Sequence, residues 1–470
     1  MLALPITSSL YLRRLVCTST CLTMLAGCTW YHREPLAPRD TSTTLTSLSR
    51  VQIDPATMPL PELAAHRFDP SDGLDVEEVA MLAVANNPDL KLARDDLGIA
   101  RAQAFSAGLL PDPQLAVSSD YPGMEGATRA FNYGLTMDVL AILTRGPNKQ
   151  SADATVAKTD LGLLWQEWQV VAQAKQLFIK ALFQEDTLPL LAKQRDLSRR
   201  RYERMADAQR DGNLTEDTLT AALTSYSDAR KLYTDAERAT EQTHHDLNLL
   251  LGLSPEVQLK LVGEPEDAPL DENAVHDAVV ALPRRRPDLL ALQAGYEAQE
   301  QKYRAAIMSQ FPSLTVGFDR QRDTSNVYTS GFQISLSLPI FNRNRGNIAI
   351  EQSTRQRLRD EYQNRLNQAF ADVAHLRADD TILSRQLEQT EAALPGTEYA
   401  ASNASKAFAE HNLTLGAYTD AMLAALNKRV DIATLREARA EQRVGLQALL
   451  GSAIPDAFSS DLTLTEAHAK

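Results

Sequence analysis

Two segments of the chain alternate strictly between apolar and polar residues, which predicts β-strands. In the segment that ends at Ile340, the apolar side chains occupy even positions: Tyr328, Phe332, Ile334, Leu336 and Leu338. The segment 131–139 repeats the pattern at Phe131, Tyr133, Leu135, Met137 and Val139. Because alternate side chains of a strand point to opposite faces, each strand carries its apolar residues on one face. Partner strands with a shorter alternating pattern precede them, over 113–121 and 312–322.

Two very long helices are predicted after the paired strands. Residues 148–210 form the first, with Pro189 inside it, and residues 347–410 form the second, with Pro395 near its far end. The first helix would be roughly 95 Å long at a rise of about 1.5 Å per residue. Each is followed by a tight turn and another helix. After the turn at 211–213, apolar residues recur in alternating steps of three and four, which is the period of a coiled coil.

A repeat with a constant offset of 199 residues relates these elements. Pro88-Asp89-Leu90 recurs as Pro287-Asp288-Leu289, and Asn213-Leu214-Thr215 recurs as Asn412-Leu413-Thr414. An offset kept over about 165 residues indicates two copies of one unit. Each unit consists of a helix, two strands and a long helical hairpin.

The repeat predicts how the chain is divided. The first helix of the unit is expected at 76–110 in copy one and at 287–310 in copy two. We predict a signal peptide at 1–27, a lead-in at 28–70, the first repeat at 71–265, the second repeat at 266–455 and a C-terminal tail at 456–470.

The length and the number of the strands limit the possible fold classes. They are about ten residues long, the length of a tilted strand that spans a bilayer. They could instead be half of a soluble sandwich. Four strands cannot close a barrel, however, and a small open sheet leaves unpaired edges, which an association of three chains would remove. We expect a mainly α-helical chain with a small β part, in which most residues form a column of paired helices.

Composition narrows the possible function classes. The mean hydropathy is −0.29, and past residue 27 no run approaches the ~20 apolar residues of a membrane-spanning helix, which excludes a helical-bundle membrane protein. A net charge of −13, from 48 Lys and Arg against 61 Asp and Glu, argues against a nucleic-acid partner. The chain has no GxSxG, HExxH, P-loop or GxGxxG motif. We therefore expect no enzyme, no cofactor and no metal site.

The three cysteines all lie within the first 28 residues. Arg13 and Arg14 precede a short apolar segment, which is the layout of a secretory signal. The signal ends in Leu25-Ala26-Gly27-Cys28, which resembles a bacterial lipobox. That resemblance implies cleavage before Cys28 and acylation of its thiol, with retention in the outer membrane. A plain signal peptide with an unmodified cysteine is the alternative.

Several of these residues together resemble the outer-membrane factor family, the TolC-type exit ducts of tripartite efflux and secretion systems. They are the duplication itself, the Arg286-Pro287-Asp288-Leu289 start of copy two, Leu338 to Asn342 after the fourth strand, and Asn412-Leu413-Thr414 with Asp420-Ala421. The resemblance implies a homotrimer with a twelve-stranded β-barrel in the outer membrane, continuous with a twelve-helix α-barrel in the periplasm. It also implies a periplasmic adaptor and an inner-membrane pump as partners, closest to the resistance-nodulation branch that exports metal cations and drugs.

The same resemblance suggests where function lies. In the family, helix tips at the periplasmic end constrict the pore and carry lumen-facing acidic residues. Asp420 occupies the gate position, and Asp217 lies near the first tip; Ala417 stands where the family often has a second acid. The predicted adaptor contacts are Gly212 and Asn213 in the first turn, and His411 and Asn412 in the second. Because glycine suits a left-handed turn and histidine does not, we expect the second turn to be less tight.

Other interpretations stay open. The gate acids could be solvated charges on a coiled coil. Adjacent histidines on a helix point about 100° apart, so His244 and His245 near Glu241 indicate a solvated face rather than a metal site. A lipid-anchored periplasmic coiled-coil scaffold without a pore would explain the lipobox and the helices but not the strands. A further alternative is that the chain is the exit duct of a type I protein secretion system.

Overall fold

The computed structural model describes residues 30–36, 53–263 and 272–450. The chain divides into two units between residues 44 and 45. In the first unit, the described residues 30–36 contain no helix or strand, and all elements below belong to the second. Cys28 and the proposed ends of the signal, of the first repeat and of the second repeat lie outside the described residues.

Thirteen elements follow one another in the described part of the second unit, after a short 3-10 turn at Pro55–Thr57. In chain order they are α1 (Pro61–Ala65), α2 (Val76–Asn86), α3 (Pro88–Ala107), β1 (Gln114–Asp120), β2 (Ala130–Asp138), α4 (Val139–Arg210), α5 (Glu216–Leu250), α6 (Glu272–Arg285), α7 (Pro287–Met308), β3 (Ser313–Arg322), β4 (Tyr328–Ser337), α8 (Arg345–Ala409) and α9 (Leu415–Leu450). The order α3-β1-β2-α4-α5 is repeated as α7-β3-β4-α8-α9. The predicted repeating unit of a helix, two strands and a helical hairpin is therefore present twice.

Helix α4 begins nine residues earlier than the sequence pattern suggested. The carboxylate of Asp138 accepts hydrogen bonds from the backbone N–H groups of Leu140 (2.8 Å) and Ala141 (3.2 Å), and so caps a helix that continues directly from β2. Pro147, the residue before the predicted start, lies within the helix, as does Pro189. The helix has 72 residues. Helix α8, with 65 residues, agrees with the prediction to within two residues at each end.

The helix expected at 76–110 is divided at Asn87. The side chain of Asn87 accepts hydrogen bonds from the N–H groups of Asp89 (3.0 Å) and Leu90 (3.1 Å), and Pro88 occupies the first position of the new helix. Proline has no N–H group, so it fits where a helix starts and not where one continues. The nitrogen Nδ2 of the same buried Asn87 donates to the carbonyl of Leu250 (3.0 Å) and joins the start of α3 to the end of α5.

The helices are arranged as four columns. Helix α4 contacts α3 and α5, and it also contacts α7 and α9; helix α8 contacts α7 and α9. Because α3 continues from the end of α5, each of the two shorter pairs forms a composite column beside a long helix. The wall of one chain therefore runs from α3 and α5 through α4 to α7 and α9, and ends at α8. In the described residues, no helix is long and apolar enough to cross a membrane.

The main core lies where the composite column of α3 and α5 meets α2 and α4. Leu74, Phe178, Leu247 and Leu251 are buried there, and a smaller cluster places Trp168 against Leu63 and Met81. Burial of such side chains contributes about 1.5–3 kcal/mol each. Trp168 is therefore a core residue of this joint.

The four strands form one antiparallel sheet in the order β1-β2-β3-β4. Cross-strand partners follow a regular register in which Leu115, Leu135, Phe318 and Phe332 form one row. The neighbouring row on the opposite face is small and polar: Ala116, Gly134, Asp319 and Gly331. The alternation read from the sequence is thus confirmed for all four strands. Strands β1 and β4 are the two edges of the sheet, and each pairs along one side only among the described residues.

Candidate functional site

Two helix-turn-helix tips lie at the end of the column away from the sheet. Gly212 and His411 occupy equivalent positions and both have a left-handed backbone, with φ of 75° and 60°. The same pair of hydrogen bonds closes each turn: Gly212 to Gln209 and Asn213 to Ala208, and His411 to Phe408 and Asn412 to Ala407. This is the Schellman motif that ends many helices.

The expectation of a less tight second turn was therefore wrong. The donor–acceptor distances are 2.9 and 2.8 Å in the first turn and 3.1 and 2.8 Å in the second. The last four carbonyls of a helix have no partner within it. The motif pairs two of them, at a steric cost of about 1–2 kcal/mol when the left-handed residue is not glycine. At an exposed site such as His411, nothing else hinders that conformation.

All four proposed adaptor-contact residues are exposed at these tips: Gly212, Asn213, His411 and Asn412. The side chain of Asn412 donates to the carboxylate of Glu410 at 3.2 Å. The tips thus have the same backbone conformation, but the left-handed residue is glycine in the first tip and histidine in the second.

The two proposed gate acids have different surroundings. Asp420 on α9 is exposed over 63% of its side chain, yet it forms an ion pair with Arg201 on α4. Asp217 lies in the first turn of α5, is exposed, and forms no ion pair within the described part of the chain. The structure thus gives Asp420 a cationic partner that the sequence did not reveal.

Arg201 could not be found from sequence. Its contact with Asp420 spans 219 residues, and Ala400 stands at the equivalent position of the second repeat. No repeat signal or local motif therefore marks this arginine.

His244, the first residue of the histidine pair, lies beside an acid of α4. His244 Nε2 lies 3.8 Å from a carboxylate oxygen of Glu185. Across the described ranges, no group of three His, Cys, Asp or Glu residues could hold a metal ion.

A second feature missed at the sequence level is a pair of partly buried acids between α9 and α4. Burial, reinforced by the neighbouring Glu441 carboxylate, raises the pKa of Glu437 to about 7, although Lys180 acts in the opposite direction. Burial also raises the pKa of Glu441, again opposed by Lys180. The two glutamates are one helical turn apart, so ionising either one disfavours ionising the other.

This pair predicts how stability depends on pH. The folded chain holds the Glu437 proton more tightly than the unfolded chain, whose carboxyl titrates near 4.5. Stability should therefore fall as the pH rises from about 4.5 through about 7. At pH values above that range, Glu437→Gln should raise the midpoint temperature of unfolding. At pH values below it, the midpoint temperature should stay unchanged. Because the carboxyl is only partly buried, we expect a gain of about 1 kcal/mol.

Thermal unfolding at a series of pH values measures this effect, with the exposed Glu388→Gln of α8 as the matched control. A gain in Glu437→Gln that is equal at all pH values would contradict the assignment.

The apolar face of the sheet is exposed to solvent in the single chain. Phe332 is 89% exposed, and its neighbours on the same face are open to solvent in the single chain: Leu115, Val117, Leu135, Phe318, Ile334 and Leu336. A soluble protein rarely leaves a continuous surface of this kind uncovered. This face therefore needs either a partner or lipid.

Comparisons with known proteins agree with these features. Residues 280–452 match the family model described as outer membrane efflux protein. The chain is 24% identical to the cobalt-zinc-cadmium resistance protein CzcC of Cupriavidus metallidurans, over 76% of this chain and 84% of CzcC. It is 23% identical to the probable outer membrane lipoprotein SilC of Salmonella typhimurium, over 91% of this chain and 96% of SilC.

A solved structure shows the same fold. The crystal structure of CusC, described as undergoing conformational changes on folding and transmembrane channel formation, aligns with a TM-score of 0.65 at 20% identity, over 84% of this chain and 97% of CusC. The duplicated unit, the single sheet and the paired long helices are thus those of a known channel fold. Together with the match of residues 280–452 to the family model, these shared elements confirm the resemblance read from the sequence: the chain is similar to outer membrane efflux proteins in its second repeat and shares the fold of CusC.

Proposed function

We propose that this chain is the outer-membrane exit duct of a tripartite efflux system and works as a homotrimer. The observation that carries the proposal is the four-stranded sheet with one exposed apolar face, one polar face and two free edges. Lipid accepts strands only where every backbone group is paired, which requires a closed barrel. Three chains of four strands would give twelve strands, with the apolar face toward lipid and the polar face toward the lumen.

The helical columns support the same assembly. The outermost columns of one chain, α8 and the pair α3 and α5, expose large apolar side chains along their length: Ile350, Ile382 and Tyr399 on α8, and Leu92, Ile99 and Leu232 on the pair. In a ring, α8 of one chain would cover α3 and α5 of the next. Four columns per chain would then give a twelve-column α-barrel below the β-barrel. Members of the matched family form trimers and work in tripartite systems with an adaptor and a pump.

The partners and the cargo follow from the same assignment. The exposed tips at Gly212 and His411 would meet a periplasmic adaptor, which connects the duct to an inner-membrane pump. A relative named for cobalt, zinc and cadmium resistance favours metal cations as cargo over drugs or proteins. A pore-free periplasmic scaffold would leave the exposed apolar sheet without a purpose.

Electrophoresis tests the assembly. The membrane fraction, run unheated on a denaturing gel, should show a band at about three times the mass of the heated chain, as expected of closed outer-membrane trimers. The purified trimer should also form conducting channels in planar bilayers. A band of monomer mass without conductance would support the scaffold and overturn the duct.

The lipid anchor is a further part of the proposal. We propose that residues 1–27 are removed as a signal peptide, that Cys28 is acylated, and that 71–265 and 266–455 are the two repeats of the mature chain. The relative SilC is described as a probable outer membrane lipoprotein. In cells fed labelled palmitate, the wild-type chain should carry label and the Cys28→Ser chain none. Label retained in Cys28→Ser would contradict the anchor, while the trimer itself should form in both.

The gate acids predict ion selectivity. We propose that Asp420, and with less effect Asp217, lines the narrow end of the pore, where three copies of each carboxylate focus negative potential. Because Arg201 neutralises part of the Asp420 charge, the two partners should act in opposite directions. Asp420→Asn should lower the preference for cations, and Arg201→Gln should raise it.

Planar-bilayer reversal potentials at low salt measure this selectivity, because the screening length shortens from about 30 Å at 0.01 M to about 3 Å at 1 M salt. Unchanged selectivity of the Asp420→Asn trimer at low salt would place the carboxylate outside the pore.

A further inference from the structure

The apolar face of the sheet changes character at its loop end. From the helix end upward, its rows are Leu314 with Leu336, then Met137, Val316 and Ile334, and then the Phe332 row. The next row contains Arg320 between Tyr133 and Ser330, and the last contains Arg322 between Phe131 and Tyr328. Arg320 and Arg322 lie about 7 and 13 Å beyond Phe318 along the strand. Two cations therefore stand on the apolar face beside the hairpin loops.

Arg322 is held in a fixed orientation. Its Nε and Nη2 donate to the carbonyl of Arg129, at 3.1 and 2.6 Å. Its guanidinium also lies over the rings of Phe131, at 5.0 Å, and Tyr328, at 5.8 Å. These contacts orient the group without neutralising its charge.

Arg129 adds a third cation at the same place. Its Nε donates to the hydroxyl of Ser119 at 2.8 Å, and its guanidinium lies 4.3 Å from the centre of the Tyr121 ring. Ser119 pairs with Phe131 in the last row, so Arg129 reaches the apolar face from the loop between β1 and β2. Arg129 and Arg320 are both exposed.

None of the three arginines forms an ion pair with a carboxylate within the described strands and loops. Three acids of the adjoining strands and loops have other positions. Asp120 and Asp319 belong to rows of the polar face, and the Asp323 carboxylate accepts from the backbone of its own loop, at Ser325 (2.8 Å) and Val327 (2.9 Å). The cluster of Arg129, Arg320 and Arg322, here called the arginine rim, therefore has unmatched positive charge.

We propose that the arginine rim binds the phosphate groups of anionic lipids at the outer surface of the membrane. The inference rests on the proposed function, which puts the apolar face in lipid and the loops outside. A guanidinium at the border of an apolar face needs an anion or water, and its planar fork matches phosphate oxygens. Aromatic rings beside the rim are typical of the level of lipid headgroups. Three chains would place nine arginines around the barrel, and these would also fix its depth in the bilayer.

Lipid binding by the purified full-length trimer tests the rim. The probe is bisphosphorylated lipid A in detergent micelles, compared with the dephosphorylated form and with inorganic phosphate as competitor. The triple variant Arg129→Gln/Arg320→Gln/Arg322→Gln should bind the bisphosphorylated probe roughly 100-fold more weakly, at about tenfold or less per arginine. The matched control, Arg200→Gln/Arg204→Gln/Arg230→Gln, removes three exposed arginines from the lower helices and should bind as the wild type does.

The possible outcomes separate this inference from the proposed function. Equal binding by the rim variant and the wild type, or equal binding of the dephosphorylated probe, would overturn the lipid site while the trimer and its conductance remain. Displacement by inorganic phosphate at matched concentration would show a site for free phosphate and also overturn it. A wild-type chain that forms no trimer on the unheated gel would overturn both.

Discussion

Replacing Asp288 by alanine lowers the free energy of unfolding by about 3–5 kcal/mol, because it leaves a buried cation without its counter-ion. The side chains of Asp288 and Arg286 are only 8% and 4% exposed. Asp288 accepts from Nε of Arg286 (2.8 Å) through one oxygen and from Nε of Arg365 on α8 (2.8 Å) through the other. The Arg286 guanidinium lies 4.9 Å from the centre of the Trp165 ring. This carboxylate therefore ties the start of α7 to α4 and α8.

The repeat itself supplies the control. Asp89 occupies the same place in the first copy, in the same Pro-Asp-Leu motif, but it is exposed. Asp89→Ala should change stability by about 0.5 kcal/mol or less, as surface substitutions usually do. Urea unfolding followed by circular dichroism compares the two. Equal losses in both variants would show that the motif acts through the helix N-terminus and not through the buried ion pairs.

The contrast between Asp89 and Asp288 shows what a motif can and cannot predict. The tripeptide marks a helix start in both copies, because Pro88 and Pro287 fit the first helical position for local reasons. Burial of the acid depends on Arg365, which is 77 residues away on another helix. Local sequence holds no record of that contact.

The same difference between local patterns and long-range contacts explains which other features of the fold and of the site could be predicted. The strands were predicted because the period of two follows from lipid or core on one face and polar groups on the other, which each strand shows by itself. The predicted start of α4 was wrong because the helix continues through Pro147 back to its cap at Asp138. His411 was judged on the intrinsic preference of histidine, and the hydrogen bonds of the turn outweighed that preference.

Placing a charge on the apolar face of the sheet should have the other large effect. Phe332 lies in the third of the five rows of that face and is 89% exposed in the single chain. Arginine on the lipid side of a barrel near the bilayer centre costs about 2–4 kcal/mol. Phe332→Arg introduces that cost three times in a trimer. We expect the heat-modifiable trimer in the outer membrane to be almost lost.

Gln333→Arg is the matched control, since the same charge is placed one residue away on the opposite face. Gln333 pairs with Gly317 in a row of the polar face, where a lumen would supply water. This variant should form trimers at the wild-type level and shift channel selectivity toward anions. Quantitative gels of outer-membrane fractions, followed by urea titration of the trimer, compare the two variants. With lipid on the outer face and water on the inner face, the strand should accept arginine at 333 and reject it at 332. A soluble partner protein that covers the sheet gives no reason for this difference between the two faces. Equal trimer levels in both variants would mean that lipid does not cover the apolar face.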